Sequence, residues 1–207
     1  MILSKQSVLW VAATMLLCTV AAAHADNSRT AQRLGAALLV IKGDVRFLED
    51  SQTLSLHKQG LRSRIKGSLS VLPLLLRENG NKQTENVSLL REAVRDDDWT
   101  GFIKTLDKLI ARHPLDLFAL RTAQPTPNRL KRGQAIHEEA CAGCHDTPDL
   151  DTPLPARNLF EQTKMMTRGE FTARLINGVR GDRVTSLANP LSVEDIASLV
   201  VYYRLDQ

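Results

Sequence analysis

The sequence predicts an all-α fold, with an N-terminal helical bundle followed by a second, small helical domain. Aromatic residues make up only 4% of the chain, and the alternating apolar and polar residues of half-buried strands are almost absent. Apolar residues instead recur three and four positions apart, which places them along one face of a helix. A chain of 207 residues is long enough for one domain of ordinary size or two small ones.

Residues 1–25 have the form of a secretory signal peptide. Lys5 supplies a weak positive start, residues 8–23 (VLWVAATMLLCTVAAA) are nearly all apolar, and residues 23–25 (AHA) resemble a cleavage site. The alternative is a retained membrane anchor, but the apolar run falls short of the roughly 20 residues that span a bilayer. A lipid anchor on Cys18 is disfavoured by the bulky leucine before it. We therefore expect cleavage and export to the periplasm.

Residues 26–124 are expected to form the helical bundle. One helix is predicted over residues 29–49, whose apolar side chains share a face. Residues 52–66 and 68–77 are weaker helical candidates, and Pro73 is expected to kink or end the second of them.

Two further helices are predicted over residues 84–95 and 98–112, after a turn at residues 78–81 (ENGN). Asp98 is suited to cap the N-terminus of the second helix. Residues 113–114 (HP) end it, because proline disfavours helical geometry in the residue before it.

The bundle carries no chemical motif and ends at residues 124–128 (QPTPN), which have the composition of a linker. His57 and His113 are isolated in sequence, and we interpret them as surface or capping residues rather than as metal ligands. Residues 26–124 therefore have no role that the sequence assigns.

Two thiols and an imidazole lie within five residues, in Cys141-Ala142-Gly143-Cys144-His145. A structural zinc site needs four ligands, and no second cysteine pair remains after signal cleavage. A redox-active dithiol normally sits in a βαβ unit, and no strand is predicted here. A plain disulfide leaves the histidine without a role. Covalent attachment of one haem uses all three side chains and is the favoured interpretation.

The spacing of the motif has a physical reason. Cys141 and Cys144 are three positions apart, so on a helical turn both thiols face the same way and can add to the two vinyl groups on one edge of a haem. His145 is then delivered beneath the ring, to the iron. Attachment in most bacteria also needs an exported compartment, which the signal peptide provides.

The flanks of the motif predict two packed helices. The first is expected to start at Asn128 as N-cap and to run to about Ala140, with Gly133 as a thin spot where another helix approaches. The second covers residues 191–204, where Ser192 and an acidic residue three positions later form a capping box.

Residues 128–207 resemble a single-haem bacterial cytochrome c domain. The resemblance is carried by GQAIHEEACAGCH, PARNLF, GEFTARLINGVRG and LSVEDIASLVVYYR. It implies an all-helical fold whose first and last helices cross beside the haem. It also implies electron transfer, with His145 as the proximal iron ligand. It implies nothing about residues 26–124.

The sequence departs from that family mainly at the sixth iron position. The family usually fills this position with a methionine from the loop before the last helix. That loop, residues 178–190 (GVRGDRVTSLANP), contains no methionine, and Val184 lies about where the ligand is expected. The nearest substitutes are Met165 and Met166, just before the helix predicted over residues 169–177.

The sequence around Met166 favours a structural role for it. Thr167 and Glu170 form a capping-box pattern, which places Met166 and Phe171 where a hydrophobic staple is found. Three outcomes stay open: Met165 or Met166 binds the iron, a histidine of the bundle reaches it, or the distal side is open. An open or weakly occupied site is favoured.

The charge of the chain limits its partners. After signal cleavage the chain has 26 basic and 23 acidic side chains, a formal charge of +3, which is too weak an excess to indicate nucleic-acid binding. No later segment is apolar enough for stable membrane insertion. Five arginines of the C-terminal part are candidates either to pair with haem propionates or to form a basic rim that docks an acidic redox partner protein. They are Arg157, Arg168, Arg174, Arg180 and Arg183.

The favoured function is that of an electron carrier and not of an enzyme, since no nucleophile and base or paired carboxylates accompany the motif. One alternative is a gas-binding or sensor protein with an open distal iron site. Another is a haem accessory subunit of a periplasmic oxidoreductase, in which the N-terminal bundle binds the enzyme.

Overall fold

The computed structural model describes residues 29–81, 85–117, 122–178 and 191–204, together with Leu120. Within these residues the chain forms nine helices and no β-strand, so the predicted all-α class is confirmed. The predicted signal peptide, residues 1–25, lies outside the described residues. None of the helices in the described part is both long and apolar enough to cross a membrane.

Four helices form the N-terminal part: α1 (residues 29–49), α2 (Ser55–Glu78), α3 (Glu85–Arg95) and α4 (Trp99–Arg112). Five follow: α5 (Pro127–Ala140), α6 (Ala142–His145), α7 (Leu159–Met165), α8 (Arg168–Asn177) and α9 (Val193–Tyr202). The caps predicted at Asp98 and Ser192 are both formed. Helix α7 was not predicted, and the Asn158 side chain caps it by accepting from the backbone N–H groups of Phe160 and Glu161.

Most of the buried apolar side chains form separate clusters in the two parts of the chain, and one small cluster of Ala36, Val40 and Ala173 joins the parts. The largest cluster draws all its members from residues 34–109, and two smaller ones draw theirs from residues 120–203. Phe47 of α1 also packs against one of the smaller clusters, and Leu154 packs against the largest. The two parts therefore share a packed junction, and the boundary near residue 125 stays a prediction.

Helix α2 corrects the prediction of two shorter helices, because it continues through Pro73. A proline inside a helix removes the N–H that would bond the carbonyl four residues earlier, here that of Leu69. The Arg91 guanidinium of α3 donates to that carbonyl at 3.0 Å. The lost hydrogen bond is thus replaced from outside the helix, which allows α2 to continue to Glu78.

Helices α5 and α9 cross closely at Gly133, as the sequence predicted. A Cβ atom at this position would lie 2.5 Å from the Ser198 carbonyl oxygen and 2.6 Å from Tyr202 Cβ. Only a glycine allows the two backbones to approach this closely. The crossing places the end of α5, and hence the cysteine motif, beside the C-terminal end of α9.

The predicted cap of α5 was wrong by two positions. Thr126, not Asn128, is the N-cap, and its hydroxyl oxygen accepts from the Arg129 N–H at 3.3 Å. Pro127 then occupies the first helical position, where its fixed φ is suitable and its missing N–H needs no partner.

Helix α8 is held at the junction with the bundle. Thr167 caps it by accepting from the Glu170 N–H at 3.1 Å, and Met166 and Phe171 share one buried cluster, so the predicted cap and staple are confirmed. The other half of the capping box was wrong. The Glu170 carboxylate instead accepts from Arg46 at 2.9 Å and from Arg174 at 3.0 Å. Charge-assisted bonds of this kind are stronger than a bond to a neutral N–H.

Candidate functional site

The cysteine motif forms a single tight turn at the end of α5. The Cys141 N–H donates to the His137 carbonyl at 2.9 Å, and the His145 N–H donates back to the Cys141 carbonyl at 3.0 Å. Both cysteines are free thiols, with Cys141 partly buried and Cys144 exposed. The motif therefore offers two unpaired thiols and an imidazole from one turn of backbone.

The imidazole of His145 is oriented by a backbone carbonyl. Its Nδ1 lies 2.6 Å from the carbonyl oxygen of Arg157, which can only accept. Hydrogen bonding thus assigns the proton to Nδ1 and leaves Nε2 with a free lone pair. Metal-binding histidines are commonly held by a second hydrogen bond of this kind, which fixes the tautomer and raises the basicity of the ligating nitrogen.

Cys141 packs against an aromatic cluster formed by His137 and Tyr203, which are buried, and by Phe160 and Tyr202, which are partly buried. The ring centroids within this cluster lie 5.0 to 5.7 Å apart. Tyr203 also packs edge-on against Phe171 of α8. The cluster places apolar surface next to one side of the motif.

Hydrogen bonds connect the motif to this cluster. The Tyr203 hydroxyl lies 2.8 Å from His137 Nδ1 and is also bonded to the Cys141 thiol, while His137 Nε2 lies 3.4 Å from the Asp146 carboxylate. A proton on Nε2 facing Asp146 makes Nδ1 the acceptor of the Tyr203 hydroxyl. His137 was missed by the sequence analysis, although its position one helical turn before Cys141 places it on the same face of α5.

The surroundings of Cys141 disfavour a redox-active dithiol. Burial raises the pKa of the Cys141 thiol. Reactive thiols of oxidoreductases instead have a lowered pKa, because the thiolate is the nucleophile. A neutral sulfur, such as that of a thioether, suits this environment better than a thiolate does.

His57 corrects the interpretation of an isolated surface or capping histidine. It is buried, and its Nε2 lies 3.0 Å from the Leu150 carbonyl oxygen while its Nδ1 lies 2.8 Å from Arg157 Nη2. Both ring nitrogens thus contact the segment that follows the cysteine motif, residues 146–158. His113 lies at the end of α4, where its Nε2 contacts the Asn81 side chain at 3.4 Å.

The two methionines considered as sixth ligands differ in burial. Met166 is 9% exposed and packs in the cluster with Phe171, whereas Met165 is 47% exposed at the end of α7. Val184 and the loop around it, residues 179–190, lie outside the described residues.

The candidate arginines also differ in their partners. The Arg174 guanidinium is buried and already bonds two carboxylates, those of Asp44 and Glu170. Arg168 donates to the Leu120 carbonyl at 3.1 Å, and Arg157 donates to His57. Arg180 and Arg183 lie outside the described residues.

The described donor set fits a covalently attached haem in three respects: two free thiols on one turn, an imidazole with an available Nε2, and adjacent apolar surface. In the part of the chain that the structure describes, no cluster of three or more His, Cys, Asp or Glu side chains is arranged to hold a metal ion. Comparisons with protein-family models, with curated proteins and with solved structures found no match to this chain.

Proposed function

We propose that this protein is a periplasmic c-type cytochrome that carries electrons through one haem, bound covalently by Cys141 and Cys144 and ligated by His145. The hydrogen bond between His145 Nδ1 and the Arg157 carbonyl carries the proposal. It prepares Nε2 for a metal at the one place in the chain where two thiols are also available. When bound, the haem supplies the one-electron chemistry.

The polypeptide binds, orients and shields the group. Cys141 and Cys144 would hold the haem covalently from the turn after α5, and the Arg157 carbonyl holds the imidazole of His145 in one orientation. The cluster around Tyr203 shields one side of Cys141 from water. A drier site strengthens the electrostatic influence of nearby groups on the redox potential.

The proposal is tested by haem staining after denaturing electrophoresis, on protein expressed with its signal sequence and a haem-attachment pathway. A stained band is expected for the wild-type protein, because thioether bonds survive denaturation. Replacing Cys141 and Cys144 with alanine should abolish the stain. C18A is the matched control, since Cys18 lies in the predicted signal peptide, and it should stain normally. An unstained wild-type protein, or a stained C141A/C144A variant, contradicts the proposal.

A second function, binding of a small gas at an open sixth position, is favoured by the placement of the two methionines. Met166 is committed to the cluster with Phe171, and Met165 points toward solvent at the end of α7. Adding carbon monoxide to the reduced haem protein separates the two functions. A prompt shift of the Soret band supports gas binding, and an unchanged spectrum supports a carrier with both axial positions filled.

A further inference from the structure

His57 of α2 hydrogen-bonds the N-terminal bundle to residues 146–158, the segment that follows the cysteine motif and supports His145. A guanidinium can only donate, so the 2.8 Å contact with Arg157 Nη2 makes His57 Nδ1 an acceptor. The proton then lies on Nε2, which donates to the Leu150 carbonyl at 3.0 Å. A single neutral imidazole thus holds two points of the segment, seven residues apart.

Arg157 occupies a central position in this arrangement. Its guanidinium donates to His57, while its backbone carbonyl accepts from His145 Nδ1 at 2.6 Å and from Gln162 Nε2 at 2.9 Å. Its own N–H donates to the Pro155 carbonyl at 2.9 Å. The carbonyl that orients the proposed iron ligand therefore belongs to a residue fixed at several points.

The packing around His57 makes this support stiff. Gly60 lies one helical turn further along α2, and a Cβ atom there would collide with the Pro153 carbonyl and would lie 2.8 Å from Leu154 Cγ. Leu154 in turn packs against the apolar core of the bundle. Helix α2 and the segment are therefore also in direct contact at Pro153 and Leu154, between the two hydrogen-bonded positions.

From this geometry we infer that His57 is a positioning residue for His145, acting through Arg157. The inference rests on the proposed function, since it concerns the ligand of a bound haem. A firmly held carbonyl strengthens the hydrogen bond from His145 Nδ1, and this makes the imidazole a more basic ligand. A more basic ligand favours ferric iron and lowers the reduction potential. The contact between His57 and Arg157 would thus give the bundle a role in setting the reduction potential of the haem.

The test compares the reduction midpoint potentials of the haem-loaded wild-type protein, H57L, H57Q and H113L by spectroelectrochemical titration. H57L should have a higher potential than the wild type, because the anchor of Arg157 is lost. H57Q keeps one donor and one acceptor and should recover part of the shift. H113L alters the other described bundle histidine, which does not contact the segment, and should leave the potential unchanged.

A second comparison separates positioning from general damage. R157Q removes the guanidinium through which His57 is inferred to act, so adding H57L in this background should cause no further shift. Hydrogen exchange of residues 146–158 should be faster in H57L than in the wild type. Where H57L does not accumulate as folded protein, H57Q and R157Q provide the same comparison.

The outcomes distinguish this inference from the proposed function. If the wild-type protein carries no covalent haem, both fail. If haem is attached in all variants and H57L has the wild-type potential, only the role of His57 is overturned. An equal shift in H113L, or an additive shift in H57L/R157Q, also overturns it.

Discussion

Asp44 and Arg174 are 130 positions apart in the chain, yet their side chains meet at 2.9 Å in the junction between the two parts of the molecule. Asp44 is fully buried and also accepts two hydrogen bonds from Arg64, both at 2.7 Å. Arg174 bonds Glu170 in addition. The carboxylate on α1 therefore compensates two guanidinium groups, one from α2 and one from α8.

Neutralising Asp44 should destabilise the protein strongly. D44N leaves Arg64 without its carboxylate partner and leaves Arg174 with Glu170 alone. Removing one partner of a buried ion pair costs about 3–5 kcal/mol. Urea unfolding at neutral pH measures the loss. D107N is the matched control, because the Lys42–Asp107 pair is about half exposed, and it should change the free energy of unfolding by less than about 1 kcal/mol. Equal effects of the two substitutions contradict the account of the junction.

Adding one methyl group at Gly133 should weaken the crossing of α5 and α9. G133A places the Cβ against Ser198 and Tyr202, and overpacking of this kind costs about 1–3 kcal/mol. G67A provides the control, since Gly67 lies inside α2 with open space around it. There the better helix propensity of alanine should stabilise the protein by about 0.5–1 kcal/mol. Thermal unfolding of both variants should therefore show changes of opposite sign.

The contribution of Arg91 to the stability of the protein should depend on the presence of Pro73. R91L removes the donor to the Leu69 carbonyl, and leaving that carbonyl unsatisfied costs about 1–3 kcal/mol. P73A restores a backbone N–H four residues after Leu69, so R91L should cost clearly less in the P73A background. Unfolding free energies of the two single variants and the double variant test this. Additive effects would show that Arg91 does not replace the missing bond.

Tyr203 should make the protein lose stability at high pH. Burial raises the pKa of its hydroxyl above the ordinary value of 10.0, so the folded protein keeps the proton while the unfolded chain releases it. The protonated Tyr203 hydroxyl thus contributes fully to the free energy of unfolding below about pH 10. Above that pH its contribution decreases by up to about 1.4 kcal/mol per pH unit.

The control for this dependence is Y203F, which has no hydroxyl to ionise. Urea unfolding between pH 8 and 11 should give a steeper decline for the wild-type protein than for Y203F. At neutral pH, Y203F should itself be less stable by about 1–3 kcal/mol, because the buried His137 Nδ1 loses its donor. Parallel pH profiles for the wild-type protein and Y203F would contradict a raised pKa of Tyr203.

The features that the sequence predicted well depend on neighbours in the chain. Asp98 and Ser192 cap their helices through N–H groups three residues away. The thin spot at Gly133 follows from residue size alone. The turn at residues 78–81 contains Gly80 with φ +72°, a conformation that glycine adopts readily. Such local chemistry is visible in a sequence before any packing is known.

The features that it missed depend on partners distant in the chain. Helix α2 continues through Pro73 because Arg91 donates to the Leu69 carbonyl, and these two residues are 22 positions apart. The Glu170 carboxylate does not complete the capping box because it forms a stronger bond with Arg46, which is 124 positions away. His57 looked isolated because its partner Arg157 is 100 positions away. In each case a tertiary contact replaced the expected local one, and no periodicity or motif encodes such a contact.

The intact mass of the secreted protein tests the central claim most directly. After expression with a working haem-attachment pathway, we expect the mass of the chain without residues 1–25 plus that of one haem, retained under denaturing conditions. Peptide mapping should place the added mass on the fragment that contains Cys141 and Cys144. A mass equal to that of the polypeptide alone would contradict the account.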